Sequence, residues 1–298
     1  MHQSDARPYL WMLCGSFAFA VMGVLTEALT RQSASRCDWQ TVAVFRAALV
    51  AAFGAVLAWR AGARLVWLRP WRLWVRSVAG SGSMVCTFYA FGHLPASDVV
   101  TLSNTFPLWV AVLSWPLYGV RPGWRTVAAV LIGLLGVVLV EQPHIEAGTL
   151  GVFAALTGAL LTAVAMLGLH RLRDIDPRAV VVHFSLVATV FCFGAFLFTP
   201  RAQPVERVLE PGVLFRLIAI GVSATAGQMF LTLAFGRGAP AKVSVVGLMQ
   251  IVFVLAMCAW AFDRTVNATA LVGTALVIAP TAWLLTQTKT TSDKGTRG

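Results

Sequence analysis

"FGHLPASDVVTLSNTFPLW", residues Phe91 to Trp109, gathers His93, Pro95, Ser97, Asp98, Thr101, Ser103, Asn104, Thr105 and Pro107 into one stretch of a chain that is otherwise strongly apolar. About 145 residues later, "FGRGAPAKVSVVGLMQIVFV" (Phe235 to Val254) reads as an altered copy. Each copy is a turn running into the start of a helix, and the rest of the chain can be ordered around the pair.

Hydrophobic residues make up 58% of the 298 positions and charged ones 12%, against about 25% charged in an ordinary soluble domain. That balance excludes a typical cytosolic enzyme. A bilayer core about 30 Å thick needs roughly 20 apolar residues per helix. Ten segments meet that need: 9–28, 40–59, 73–93, 96–117, 124–141, 150–169, 179–199, 212–234, 240–261 and 267–286. Their short linkers leave no room for a soluble domain.

The net charge of +11 could suggest nucleic acid, but its placement points to topology. With the N-terminus inside, 16 Lys and Arg lie on the inner side and six on the outer, while Arg46 falls within a helix. The positive-inside rule then places both termini in the cytoplasm. "RAGARLVWLRPWRLWVR" (Arg60 to Arg76) mixes Arg with Trp67, Trp71 and Trp74, as expected at a lipid interface. No small-residue cleavage site follows the first apolar run, so the first helix is expected to be retained. Cys14, Cys37, Cys86, Cys192 and Cys258 lack paired spacing and read as packing residues, with no metal and no disulfide.

At an offset of 145, Pro95-Ala96 falls on Pro240-Ala241, Ala111 on Ala256 and Trp115 on Trp260. A weaker match relates Gly133 to Gly273. The chain therefore divides into five-helix halves, 1–145 and 146–298. Halves with an odd number of spans cross the membrane in opposite senses, which is an inverted-topology repeat. The turns agree in sign: "GHLPASD" has no Lys or Arg and carries Asp98, whereas "GRGAPAK" carries Arg237 and Lys242. The expected fold is thus all-α and integral to the membrane, with ten transmembrane helices in two inverted repeats.

Ten helices in two halves, the "LPAS" and "APAK" turns, and Pro107 eleven positions after Ala96 resemble the drug/metabolite transporter superfamily, in particular its ten-helix EamA-type exporters. The resemblance covers essentially the whole chain. It implies a bacterial inner-membrane exporter of amino acids, aromatic ones included, with other small metabolites or drugs as the alternative solutes; no cofactor is expected, and a monomer is expected to suffice for function. One departure is Val252, where the family's ninth helix carries Pro, so a kink there must come from Gly247 or be absent.

Transporters of this kind bind solutes near the midplane, at helices interrupted by Gly or Pro. Pro107 cannot donate a backbone hydrogen bond and crowds the Ser103 carbonyl, so Ser103, Asn104 and Pro107 are candidate binding residues. The alternative is that Ser103, Asn104 and Thr105 bond to neighbouring helices as packing glue. On the third helix Gly80, Gly82 and the other small residues of "AGSGS" read as helix contacts, because a phosphate loop would need a Lys-Ser/Thr end. Met84, Phe88 and Tyr89 follow them; Tyr89 can both stack and hydrogen-bond. Gln228 and Met229 on the eighth helix and Met249 and Gln250 on the ninth occupy related positions, and flexible Met side chains suit a site that accepts several shapes. Met166 and His170 complete the candidate set.

Ionisable residues within the spans are few. Arg46 needs a partner at that depth, and Glu27, near the outer end of the first helix, is the expected one in a structural or gating ion pair. His183 reads as interfacial and Asp98 as a helix N-cap. No acid lies in the middle of the first helix ("GSFAFAVMG") and no Lys lies mid-membrane, which favours neutral, zwitterionic or aromatic solutes. No nucleotide-binding loop and no catalytic set is evident; Asp174 and Asp176 of "RLRDIDPR" sit in a basic loop. The expectation is a non-enzymatic exporter whose partners are small solutes and the lipid bilayer.

Overall fold

The computed structural model describes residues 6–32, 37–91, 93–94, 96–119, 121–143, 150–200, 203–262 and 266–293. The first half contains α1 (Arg7–Glu27), prolonged by a π-helical turn over Ala28–Gln32, then α2 (Trp39–Arg60), α3 (Trp71–Phe91), α4 (Ala96–Ser103), α5 (Phe106–Tyr118) and α6 (Trp124–Glu141). The second contains α7 (Leu150–His170), α8 (Pro177–Phe198), a short 3-10 turn over Val205–Leu209, α9 (Pro211–Arg237), α10 (Pro240–Gly247), α11 (Met249–Phe262) and α12 (Ala268–Asp293). Among the described residues there is no strand.

Local chemistry explains the punctuation. Pro177, Pro211 and Pro240 open α8, α9 and α10, where the missing N–H is one that no helix would satisfy. Asp176 caps α8 by accepting the Arg178 backbone N–H at 2.8 Å. The segments expected at 96–117 and 240–261 are rods interrupted after eight residues each, at Asn104–Thr105 and at Leu248. Pro107 stands in the first turn of α5, so it starts a helix instead of kinking one. The second interruption follows Gly247 without any proline.

Among the described residues, eight helices are long and apolar enough to cross a bilayer, α10 and α11 being counted as one. Of the ten expected spans, α3 falls short in hydropathy because it carries Arg72, Arg76 and the Gly/Ser run, and α4–α5 falls short in continuous length. Large apolar side chains such as Phe198 and Trp260, 88% and 86% exposed, stand on the outside of the bundle. A soluble monomer does not tolerate that surface, and the protein is a multi-pass membrane protein.

Helices pack as α3 on α7 and α1 on α9, α2 on α8 and α6 on α12, α3 on α8 and α2 on α9, α1 on α10–α11 and α7 on α4–α5. Exchanging the two halves interchanges these pairs, whereas α5 packs on α10 without an equally extensive α4–α11 counterpart. At the α6–α12 crossing, a Cβ on Gly136 would lie 2.6 Å from the Gly273 carbonyl, and a Cβ on Gly273 would lie 2.6 Å from the Gly136 carbonyl. Only glycine allows the two backbones to touch there. Between α3 and α7, the Ser83 hydroxyl donates to the Gly158 carbonyl at 2.8 Å, so the Gly/Ser run of α3 serves as a helix contact.

Candidate functional site

The two interruptions lie side by side. Phe106 Cζ comes within 3.7 Å of the place a Gly247 Cβ would occupy, and Val100 of α4 packs in one apolar cluster with Leu248 and Met249. Around the breaks polar side chains add donors to backbone carbonyls, those of Val100 and Leu102 already accepting the N–H groups of Asn104 and Thr105. Asn104 Nδ2 donates to the Val100 carbonyl at 2.8 Å and Thr105 Oγ1 to the Leu102 carbonyl at 2.6 Å. The Gly247 carbonyl accepts from Ser16 Oγ of α1 at 3.3 Å. Ser103 Oγ, Thr101 Oγ1 and Trp109 Nε1 are buried beside the first break without a partner among the described residues.

A second polar centre lies between α2, α3, α8 and α9, around a small cavity with room for about one water. From α2 it receives Arg46, Ala47 and Val50; from α8, Phe184, Ser185 and Ala188. The two triplets have the same i, i+1, i+4 spacing, one helical turn. Met84 of α3 and Gln228 of α9 close it. Arg46 lies about two turns into α2, and its Nη1 donates to Met84 Sδ at 2.9 Å. A thioether is a weak acceptor, and Arg46 Nε is buried without a partner among the described residues. Ser185 Oγ and Gln228 Oε1 are likewise buried and unpartnered.

Behind the cavity the Arg76 guanidinium stacks on the Phe184 ring at 4.2 Å. Arg76 is 1% exposed, and its Nε and Nη1 lack partners among the described residues. Beside it His183 is buried: Nδ1 meets Ser77 Oγ at 2.8 Å, Nε2 meets the Trp67 carbonyl at 3.1 Å, and Trp74 stands edge-on at 4.7 Å. Arg76 and His183, expected at the lipid interface, belong to the interior because α8 covers this end of α3.

Of the sequence-predicted residues, Arg46, Met84 and Gln228 converge on this cavity. Met229 packs beside it against Val50, Val181 and Ala224. Ser103, Asn104 and Pro107 share the first break, Met249 the second, with half-buried Gln250 next to it. Phe88 stacks on Trp39 at 5.5 Å. Tyr89 is 37% exposed and stacks on His93 at 4.1 Å, away from the Arg46 cavity. Met166 is buried in the main core, and His170 Nδ1 lies 3.3 Å from the Phe235 carbonyl. Glu27 and Arg46 take different partners, Glu27 Oε2 lying 3.9 Å from Cys258 Sγ of α11, so the expected ion pair is replaced by two separate contacts. Asp98 is buried in the first turn of α4 and accepts from Ser97 Oγ at 3.3 Å. Ser185 and Phe184 were not candidates from sequence, since nothing in an apolar helix marks which of its faces meets a cavity.

The model of the EamA-like transporter family matches residues 6–141 and again 149–286. A pseudopaline exporter of Pseudomonas aeruginosa is 29% identical over 249 residues, covering 82% of this chain and 84% of that protein. A riboflavin transporter of Rhizobium johnstonii is 26% identical over 240 residues, covering 78% and 76%. A solved crystal structure, 19% identical, matches with a TM-score of 0.76 over 89% of this chain and 94% of that one, a likeness of fold.

Proposed function

Since the chain belongs to the EamA-like transporter family, we propose that it is a secondary transporter that exports amino acids, aromatic and other neutral ones, across a bacterial inner membrane by alternating access. Both termini face the cytoplasm and the halves are inverted repeats. The observation that carries this is the pair of adjacent interrupted rods, α4–α5 and α10–α11, one in each half and each broken after eight residues. Interrupted helices expose backbone carbonyls only where a cavity or neighbouring helix receives them, and inverted-repeat carriers place their solute there. Inverted symmetry is supported by the main helix pairs that interchange between the halves, the reciprocal contact of Gly136 with Gly273, and the matched triplets of α2 and α8.

In the working cycle the halves rock about this centre, so that solute held between the rods meets one side of the membrane and then the other. At the rods Ser103, Asn104 and Gln250 supply polar contacts and Met249 an adaptable apolar one, and at the second centre Gln228 supplies a polar contact and Met84 and Met229 adaptable apolar ones, so the solute's path includes both. One relative exports pseudopaline and another transports riboflavin, so amino acids are tested against both. Proteoliposomes are offered labelled phenylalanine, leucine, pseudopaline and riboflavin, with and without a pH gradient. Saturable phenylalanine and leucine flux is the expected result; flux of riboflavin or pseudopaline alone would replace the amino-acid assignment.

A further inference from the structure

Narrowing the solute class of the transporter reading above, on which it rests, we propose that the cavity between α2, α3, α8 and α9 binds a carboxylate on Arg46, with an N–H of the same small solute received by Gln228 Oε1. Arg within a span is costly to insert, roughly 2.5–3.5 kcal/mol at a helix centre, and a purely structural one finds an acid or several carbonyls. Arg46 has instead a thioether on Nη1 and an unpartnered Nε among the described residues. The four helices around the cavity present a hydroxyl, an amide, a thioether and apolar groups, and none of the lining residues is acidic. Glu27, the nearest expected counter-ion, is engaged with Cys258 on α11.

A second cation reinforces the sign. Arg76 stacks behind Phe184 with two unpartnered nitrogens, and the stack exists because position 80 is glycine: a Cβ there would collide with Arg76 Nη1 and lie 2.8 Å from Phe184 Cε2. Two guanidinium groups on one aromatic wall, without an acid to neutralise them, make the cavity a place of positive potential in a low-dielectric surrounding. Guanidinium and carboxylate match in geometry as well as charge. The unpartnered Gln228 Oε1 and Ser185 Oγ, on residues 7% and 1% exposed, complete a lining that suits a carboxylate with a neighbouring N–H donor. In this arrangement the gap has room for about one water, so the carboxylate end of a solute enters it only as the surrounding helices part.

The test is equilibrium binding to the purified full-length protein in detergent, using matched probes: L-phenylalanine, its carboxamide, and 3-phenylpropionate; succinate and succinamide; and riboflavin. At least one acid is expected to bind about tenfold or more tightly than its amide. Arg46→Gln should erase that preference and Arg46→Lys should keep part of it. Gln228→Ala should weaken phenylalanine while leaving 3-phenylpropionate unchanged. If Arg46→Gln fails to fold, phenylglyoxal labelling of the wild-type protein, read by peptide mass, replaces it: the bound acid should shield Arg46. Amides binding as tightly as acids, no acid binding at all, or Arg46 labelled equally with acid bound would each overturn the assignment. Riboflavin flux unaltered by Arg46→Gln would overturn it and leave the chain a transporter. Arg46-dependent acid binding without flux of any probe would uphold it and remove the transporter reading.

Discussion

Ser16 illustrates how single side chains hold the interrupted helices. Its hydroxyl is the partner of the Gly247 carbonyl at 3.3 Å, in a fully buried setting. Ser16→Ala should lower stability by about 1 kcal/mol, the usual size of one lost buried hydrogen bond in water or membrane, read as a lower Tm of the purified protein. An unchanged Tm would mean that the carbonyl finds another donor. Asn104 shows what sequence can and cannot specify. That Asn104 stands beside a proline-interrupted turn was legible, with solute contact and helix packing both left open for its side chain. That its Nδ2 turns back to Val100 of its own helix depends on how the chain turns at the break. Arg46 is similar: its depth and its need for a partner follow from the sequence, but the partner depends on the direction the side chain takes around the helix. It faces Met84 on α3.

At the scale of elements, the two breaks have different causes. Pro107 enforces the first by lacking an N–H for the Ser103 carbonyl; Gly247 permits the second, one of the two outcomes that Val252 in place of proline left open. Pro107→Ala should let α4 and α5 merge into one rod. The expected outcome is a Tm that is unchanged or higher together with a loss of transport of tenfold or more, measured on the same preparation. A lower Tm with transport intact would show that the interruption is only structural. The remaining elements were readable from their apolar runs, within a few residues at each end, except that α12 continues seven residues past the expected end at 286, to Asp293. Their pairing was less readable, because a helix in lipid is apolar on the outer face as well as the inner, and the usual stripe that points to a core is missing. Ser185 and Phe184 escaped notice for that reason, lying in a helix whose sequence, "PRAVVVHFSLVATVFCFGAFLF", has no visible polar face.

At the scale of the whole molecule, the proposed inverted repeats and rocking halves make demands that single elements do not. Equivalent turns must face opposite sides of the membrane. In a Cys-free background, His93→Cys should react with a membrane-impermeant maleimide added to spheroplasts and Ala239→Cys should not; labelling of both from one side would contradict the inversion. The α6–α12 crossing must stay close, so Gly136→Val, which places a Cβ against the Gly273 carbonyl, should lower Tm by several degrees. The measurement that bears most directly on the central claim is counterflow in proteoliposomes. Vesicles preloaded with unlabelled phenylalanine should take up labelled phenylalanine transiently above equilibrium, as a carrier exposing one site to alternate sides requires. Linear, unsaturable uptake with no stimulation by internal phenylalanine would contradict it.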